Sequence, residues 1–212
     1  MTAEWAPIGY EYQTSYEYTD EHGAYLFEKR RYRSTLPGER SKTFRYFDRT
    51  ARRNAYRKPA DADRWLYQLP AVLEAVQAGK TIHWTEGEKD ADSLWAAGVP
   101  ATSIHQGAGK CTPEQAAWLR DARRVVIWVD KDEGHWEVGA YDAVRRRDFL
   151  VRAGLSDARV RFVYARGSGK DAADHVERYR PDQAVQADVA KLVAVAARFE
   201  PGVAQKLGYR RG

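Results

Sequence analysis

The sequence predicts an α/β fold, a parallel sheet flanked by helices with a small N-terminal antiparallel β-rich subdomain. Three observations predict it. Residues 10–47 run as short Tyr- and Phe-rich alternating stretches separated by turn residues. From residue 65 strand-like and helix-like patterns alternate, as right-handed βαβ units require. VVIWV (125–129) is a short, mostly β-branched apolar run, as a buried strand should be.

The elements follow in order. YEYQTSYEY (10–18) reads as a strand, Asp20-Glu21-His22-Gly23 as a turn and AYLFEKRRY (24–32) as the returning strand of a hairpin. A loop at Leu36-Pro37-Gly38 leads to a third strand, KTFRYF (42–47). Residues 48–64 are basic, polar and weakly periodic, hence loop. Pro70 opens a helix that runs to Ala78 and stops at Gly79. TIHWT (81–85) is a strand, residues 88–97 a helix ended by Gly98, and a short strand lies near 100–104. The loop QGAGK (106–110) precedes a helix from Pro113 to Asp121. After VVIWV comes a helix over 138–153, stopped by Gly154, and then the strand RVRFVYA (159–165). Helices are expected at 171–178 and 182–198, with a basic tail. The partition is residues 1–64 as the β-rich subdomain, 65–180 as the α/β core and 181–212 as a helical extension.

Composition narrows the function classes. The chain has 212 residues, 31% charged and 43% hydrophobic, which suits a globular protein. Its one cysteine, Cys111, excludes an intrachain disulfide and any zinc site with two cysteine ligands. The N-terminus lacks a basic start followed by an apolar run, and no apolar stretch reaches the roughly 18 residues of a membrane span. A cytoplasmic protein without membrane contact is expected.

The net charge of +5 conceals a strong asymmetry. Residues 1–28 carry six acids and no Lys or Arg, whereas residues 29–58 carry twelve Lys or Arg against two acids. Such a block fits a polyanion partner, and its interleaved aromatics fit nucleic acid, whose bases stack while its phosphates pair. The candidate contacts are Arg30, Arg31, Arg33, Lys42, Arg45, Arg49, Arg52, Arg53, Arg57 and Lys58, with Lys110 from the QGAGK loop.

Three acidic features follow three expected parallel strands. Glu86 lies in EGEKDA after TIHWT; Asp130 and Asp132 lie in DKDEG after VVIWV; Asp171 lies in GKDAADH after RVRFVYA. Ligands of open α/β sheets bind at the carboxyl ends of strands, so these residues converge on one edge. Asp130 and Asp132 point to the same side of an extended segment. Clustered carboxylates repel one another, and a cation relieves the repulsion. Magnesium or manganese suits such oxygen ligands, with Glu86, Asp130, Asp132 and Asp171 as the metal set. Glu86 also suits a general base or a second-metal ligand. The chemistry implied is phosphoryl transfer or phosphodiester cleavage, with Lys89 or Lys170 neutralising phosphate charge. Glu88, Asp90 and Asp174 equally suit the first turn of a helix, where acids favour the macrodipole. GSGK (167–170) lacks the spacing of a phosphate loop, and the five histidines show no zinc-hydrolase pattern.

EGEKDADSL, DKDEG and GKDAADH, in this order after three strands, resemble the Toprim domain of topoisomerases, DNA primases and related nucleases. The resemblance covers residues 79–178. It implies that Glu86 is the Toprim glutamate and that Asp130 and Asp132 are its DxD pair. Asp90 matches the aspartate four residues on, and Asp171 the further acid of a KDxxD-like segment. YEYTDEHGAYLFEKRRY, KTFRYF and RWLYQLPAVLEAVQAGKTIHWTEGEKDADSL resemble the region ahead of that domain in phage and plasmid primases. The resemblance implies a metal-dependent primase of a phage or mobile element, acting on single-stranded DNA and nucleoside triphosphates with Glu86, Asp90, Asp130 and Asp132 as its catalytic acids, which Lys89 and Lys170 join on the charge argument above. It also implies a separate helicase or zinc-binding partner, since neither module is present in these 212 residues. A Toprim nuclease and a non-catalytic replication accessory are the alternatives; a topoisomerase lacks the residues for its further domains.

Overall fold

In the computed structural model, residues 6–36, 41–51, 55–131 and 136–199 are described. Asp132, Arg52 and Arg53 lie outside them. Among the described residues, strands β1 (Tyr10–Thr19), β2 (Tyr25–Ser34) and β3 (Lys42–Phe47) form an antiparallel sheet in that order. Their strong Tyr and Phe alternation buries one face of β1, with Tyr16 and Tyr18 inward. Asp20 shapes the β1–β2 turn by accepting the backbone N–H groups of His22 and Ala24.

The second sheet holds β4 (Thr81–Trp84), β5 (Ala101–Thr102), β6 (Arg124–Trp128), β7 (Val160–Tyr164) and β8 (Val185–Gln186), in the order β5-β4-β6-β7-β8. The first four are parallel. Helices α1 (Leu69–Gln77), α2 (Glu88–Ala96), α3 (Pro113–Ala117), α4 (Trp136–Arg152), α5 (Ala172–Val176) and α6 (Val189–Ala196) connect and flank them. Pro70 stands at the start of α1, where its missing N–H costs nothing. Thr112 and Gln115 close a capping box on α3.

The region expected as one helix over 182–198 differs. It contains β8, which runs antiparallel to β7, followed by α6 with Asp188 as its N-cap. Two residues carry no readable period, and β8 exists only because Val163 and Tyr164 present an open edge. Helix α3 also ends at Ala117, short of the expected Asp121.

One hydrophobic cluster runs from Tyr18 and Phe27 through Leu66 and Leu69 to Ile82, Ile127 and Phe162, so both sheets share a core. Polar contacts fasten them as well. The buried His105, after β5, meets the Tyr46 hydroxyl through Nδ1 at 2.7 Å and Asp63 through Nε2 at 3.0 Å. Burial pushes its pKa down to about 4, so the imidazole stays neutral between these partners. No helix of the described residues is long and apolar enough to cross a membrane.

Candidate active site and nucleic-acid interface

The chain leaves β4 toward β5 on one side and β6 toward β7 on the other, so the topology switches between β4 and β6. Glu86 follows β4 by two residues and Asp130 follows β6 by two, placing both at the switch point where α/β sheets bind ligands. The third strand end is tied to the second, since Lys131 donates its backbone N–H to Lys170 O at 2.9 Å and its ammonium to the carbonyls of Ala165 and Gly167.

Asp171 caps α5, accepting the Asp174 N–H at 2.8 Å through one oxygen. Asp90 sits in the first turn of α2, 7% exposed, and its Oδ1 accepts the Ala173 N–H at 3.0 Å. That contact joins α2 to α5 and sets Asp90 beside Asp171. Burial, and then the charge of Asp171, push the Asp90 pKa up to about 7. Burial, followed by the charges of Glu86, Asp90 and Asp171, raises Asp130 well above the usual carboxylate range. The structure therefore brings Glu86, Asp90, Asp130 and Asp171 within electrostatic reach of one another. Lys89 and Lys170 are exposed at the same edge.

Among the described residues no three His, Cys, Asp or Glu side chains close into a ready-made metal cage. The donor set nevertheless fits a hard cation. It is all oxygen, and the neighbouring carboxylates raise the proton affinity of Asp90 and Asp130, a cost that a cation removes. Magnesium commonly takes only one or two carboxylates and completes its shell with water and substrate phosphates.

Two features of this site lay outside the sequence reading. Gly139 in α4 lies so close to the end of β6 that a Cβ there would stand 2.6 Å from the Asp130 carbonyl oxygen. A glycine inside a helix was the available signal. Arg146, also on α4 and fully buried, donates to Thr85 O at 2.7 Å and pairs with Asp142. Its guanidinium partly offsets the rise at Asp130. An arginine in an amphipathic pattern carries no mark of burial. Asp142 in turn accepts the Gly109 N–H at 2.6 Å, which fastens the QGAGK loop to α4 while Lys110 stays exposed.

The basic block divides between the two faces of the antiparallel sheet. Lys29 and Arg31 face α2 and β1: Lys29 binds Glu88, and Arg31 binds the Tyr16 hydroxyl. Arg33 continues that alternation, with Lys42 directly opposite it; both are exposed, and Arg33 pairs with Glu11. Arg30 lies on the other face, 8% exposed, paired with Glu28 and 3.6 Å from the Phe47 ring centroid. Arg45 stands opposite it and bonds Thr43 and the Phe44 carbonyl. Arg49 pairs with Glu17, Lys58 pairs with Asp63, and Arg57 is exposed.

No protein-family model matches the chain, and no curated protein matches it by sequence. Solved structures do match. The E. coli primase catalytic core superposes with a TM-score of 0.58 at 16% identity, covering 91% of this chain and 60% of that one. A DnaG primase catalytic domain bound to single-stranded DNA gives 0.57 at 15% identity, with 92% and 60% coverage. A DNA primase domain from Pseudomonas aeruginosa gives 0.54 at 16% identity, with 87% and 50% coverage. The fold is that of a primase catalytic core. The likeness runs through both sheets, because nine-tenths of this chain is matched by the first of these cores. The chain spans between 50% and 60% of the length of these primase chains.

Proposed function

We propose that this chain is a primase-type nucleotidyltransferase that makes short primers on single-stranded DNA with Mg2+ or Mn2+. One observation carries the reading. Four carboxylates from three strand ends converge at the sheet's switch point, inside a fold shared with primase catalytic cores. The replication of a phage or mobile element, and a separate helicase or zinc-binding partner, belong to this proposal and rest on the sequence resemblance.

In this reading Glu86, Asp130 and Asp171, with Asp132 from the same DxD, would hold the metal, which supplies charge neutralisation at the reacting phosphate. The chain's own residues do the rest. Lys89 and Lys170 balance triphosphate charge from the exposed rim. Asp90 holds α5 in place through Ala173, and so keeps the Lys170-Asp171 loop against Asp130. Arg33 and Lys42 offer exposed cations to template phosphates.

The test is incubation with single-stranded DNA, the four ribonucleoside triphosphates and either metal. Metal-dependent oligonucleotide products are expected, lost in Glu86→Gln and Asp130→Asn. Strand cleavage without nucleotides would instead establish the nuclease alternative. DNA binding with neither activity would leave the accessory alternative.

A further inference from the structure

Helix α2 carries acids on two sides. Asp90 turns toward α5 and the strand-end carboxylates. Glu88 and Asp92, four residues apart on one helical face, turn toward the chain that precedes β4. Glu88 is 2% exposed and receives the Lys29 ammonium on both oxygens at 2.9 Å, together with the Tyr18 hydroxyl at 2.9 Å. Asp92 accepts from the side chains of Tyr67 and Gln68. Gln68 adopts a left-handed backbone with φ of 59°, a conformation that costs free energy in a non-glycine residue.

We propose that Lys29 and Glu88 are positioning residues. Their ion pair sets the register between the basic antiparallel sheet and the carboxylate-bearing end of α2. The inference rests on the primase-type reading above, and it names how template and reacting centre are aligned. The sheet is otherwise held to the core by rings, Tyr16 edge-on to Tyr67 at 5.8 Å and Tyr18 tilted on Tyr67 at 5.5 Å, and by the Tyr46–His105 hydrogen bond, which ties β3 to the loop after β5 and not to α2. Aromatic pairs prefer certain angles, but the burial that drives them is non-directional and tolerates a slide. A buried ammonium shared by two carboxylate oxygens is satisfied in one arrangement only. Removal of either partner strands the other, and in some proteins such a pair selects one arrangement over its alternatives. Glu88 is two residues from Glu86 and two from Asp90, in the first turn of a helix. A shift at Lys29 is therefore handed directly to both acids, while neither Lys29 nor Glu88 touches a reacting atom.

The test replaces the whole polar cluster by apolar groups of similar size, Tyr18→Phe/Lys29→Met/Glu88→Leu, which leaves no buried charge alone. This variant is expected to melt like the parent and to bind single-stranded DNA with parental affinity. Its KM for nucleotides should be unchanged and its kcat lower by up to about a hundredfold, the loss an ångström of misplacement produces. The exchange Lys29→Glu/Glu88→Lys should recover part of that loss. A stable triple variant with parental kcat would overturn the proposal. A second measurement needs no turnover. Nitroxide labels at the exposed Gln13→Cys and Ala97→Cys report the distance between β1 and the end of α2, with Cys111 buried and unlabelled. The distance distribution should broaden or shift in the triple variant, and an unchanged narrow distribution also overturns the proposal. A parent that fails to prime counts against the primase reading alone.

Discussion

Ala173 donates its backbone N–H to Asp90 Oδ1 at 3.0 Å, and that bond links a helix that follows β4 to one that follows β7. The bond holds a carboxylate in a buried place beside Asp171. Burial and that neighbouring charge keep Asp90 protonated up to about pH 7, whereas in an unfolded chain it ionises near pH 4. Between those values the folded state holds a proton that the unfolded state has released. Stability without metal should therefore fall as pH rises from about 4 to about 7. Asp130, raised by the same causes, adds in the same direction. Thermal melts across this range are expected to show the decline, Mn2+ or Mg2+ should reverse it at the upper end, and Asp90→Asn should flatten it.

Metal binding should release protons near neutrality, because the cation needs carboxylates that the apo site holds partly protonated. Calorimetric titration of Mn2+ in buffers of different ionisation enthalpy measures the number released. Apparent affinity is expected to rise from pH 6 to pH 8, and a pH-independent affinity would contradict the placement of Asp90 and Asp130.

Gly139→Ala should destabilise the protein although alanine is the better helix former. Helix propensity alone favours alanine by about 1 kcal/mol. Here the added methyl would meet the Asp130 carbonyl oxygen at 2.6 Å, and overpacking of that kind costs about 1–3 kcal/mol. Urea denaturation reads the net sign. Because the contact is with the backbone of a proposed ligand, priming should fall further than stability does.

Arg146→Leu should cost about 3–5 kcal/mol, since it leaves Asp142 buried without its cation and frees the Thr85 carbonyl. The guanidinium also favours ionised Asp130, so its loss should weaken metal binding at neutral pH. Denaturation and Mn2+ titration separate the two effects.

The two faces of the antiparallel sheet should respond differently to neutralisation. Arg33→Gln and Lys42→Gln remove exposed cations, and each is expected to weaken single-stranded DNA binding and reduce the salt slope by about 0.7. Arg30→Gln instead leaves Glu28 buried and empties the contact with Phe47, so a lower melting temperature is expected with little change in the salt slope.

Much of this site is legible along the chain. TIHWT, VVIWV and RVRFVYA have strand-like apolar patterns, and the acid after each is carried to one edge by parallel pairing alone. Glu88 was less legible. At the start of a helix it reads as a macrodipole acid, and only the fold shows that it is the buried partner of Lys29, fifty-nine residues earlier. The basic block reads as one patch because charge is counted by position, whereas alternation along β2 sends Arg30 and Arg31 to opposite faces.

The sequence by itself determined the order of strands and helices from β1 to α5, the antiparallel hairpin ahead of them and the strand-end position of Glu86, Asp130 and Asp171. These follow from local periodicity and turn chemistry, which act over a few residues. Tertiary structure alone decided that Asp90 faces Asp171, that Gly139 lets α4 approach Asp130, that Arg146 is buried against Thr85 and Asp142, and that β8 completes the sheet. Each depends on what stands opposite a face. A residue's own neighbours in sequence set the direction of a side chain but not the group it will meet.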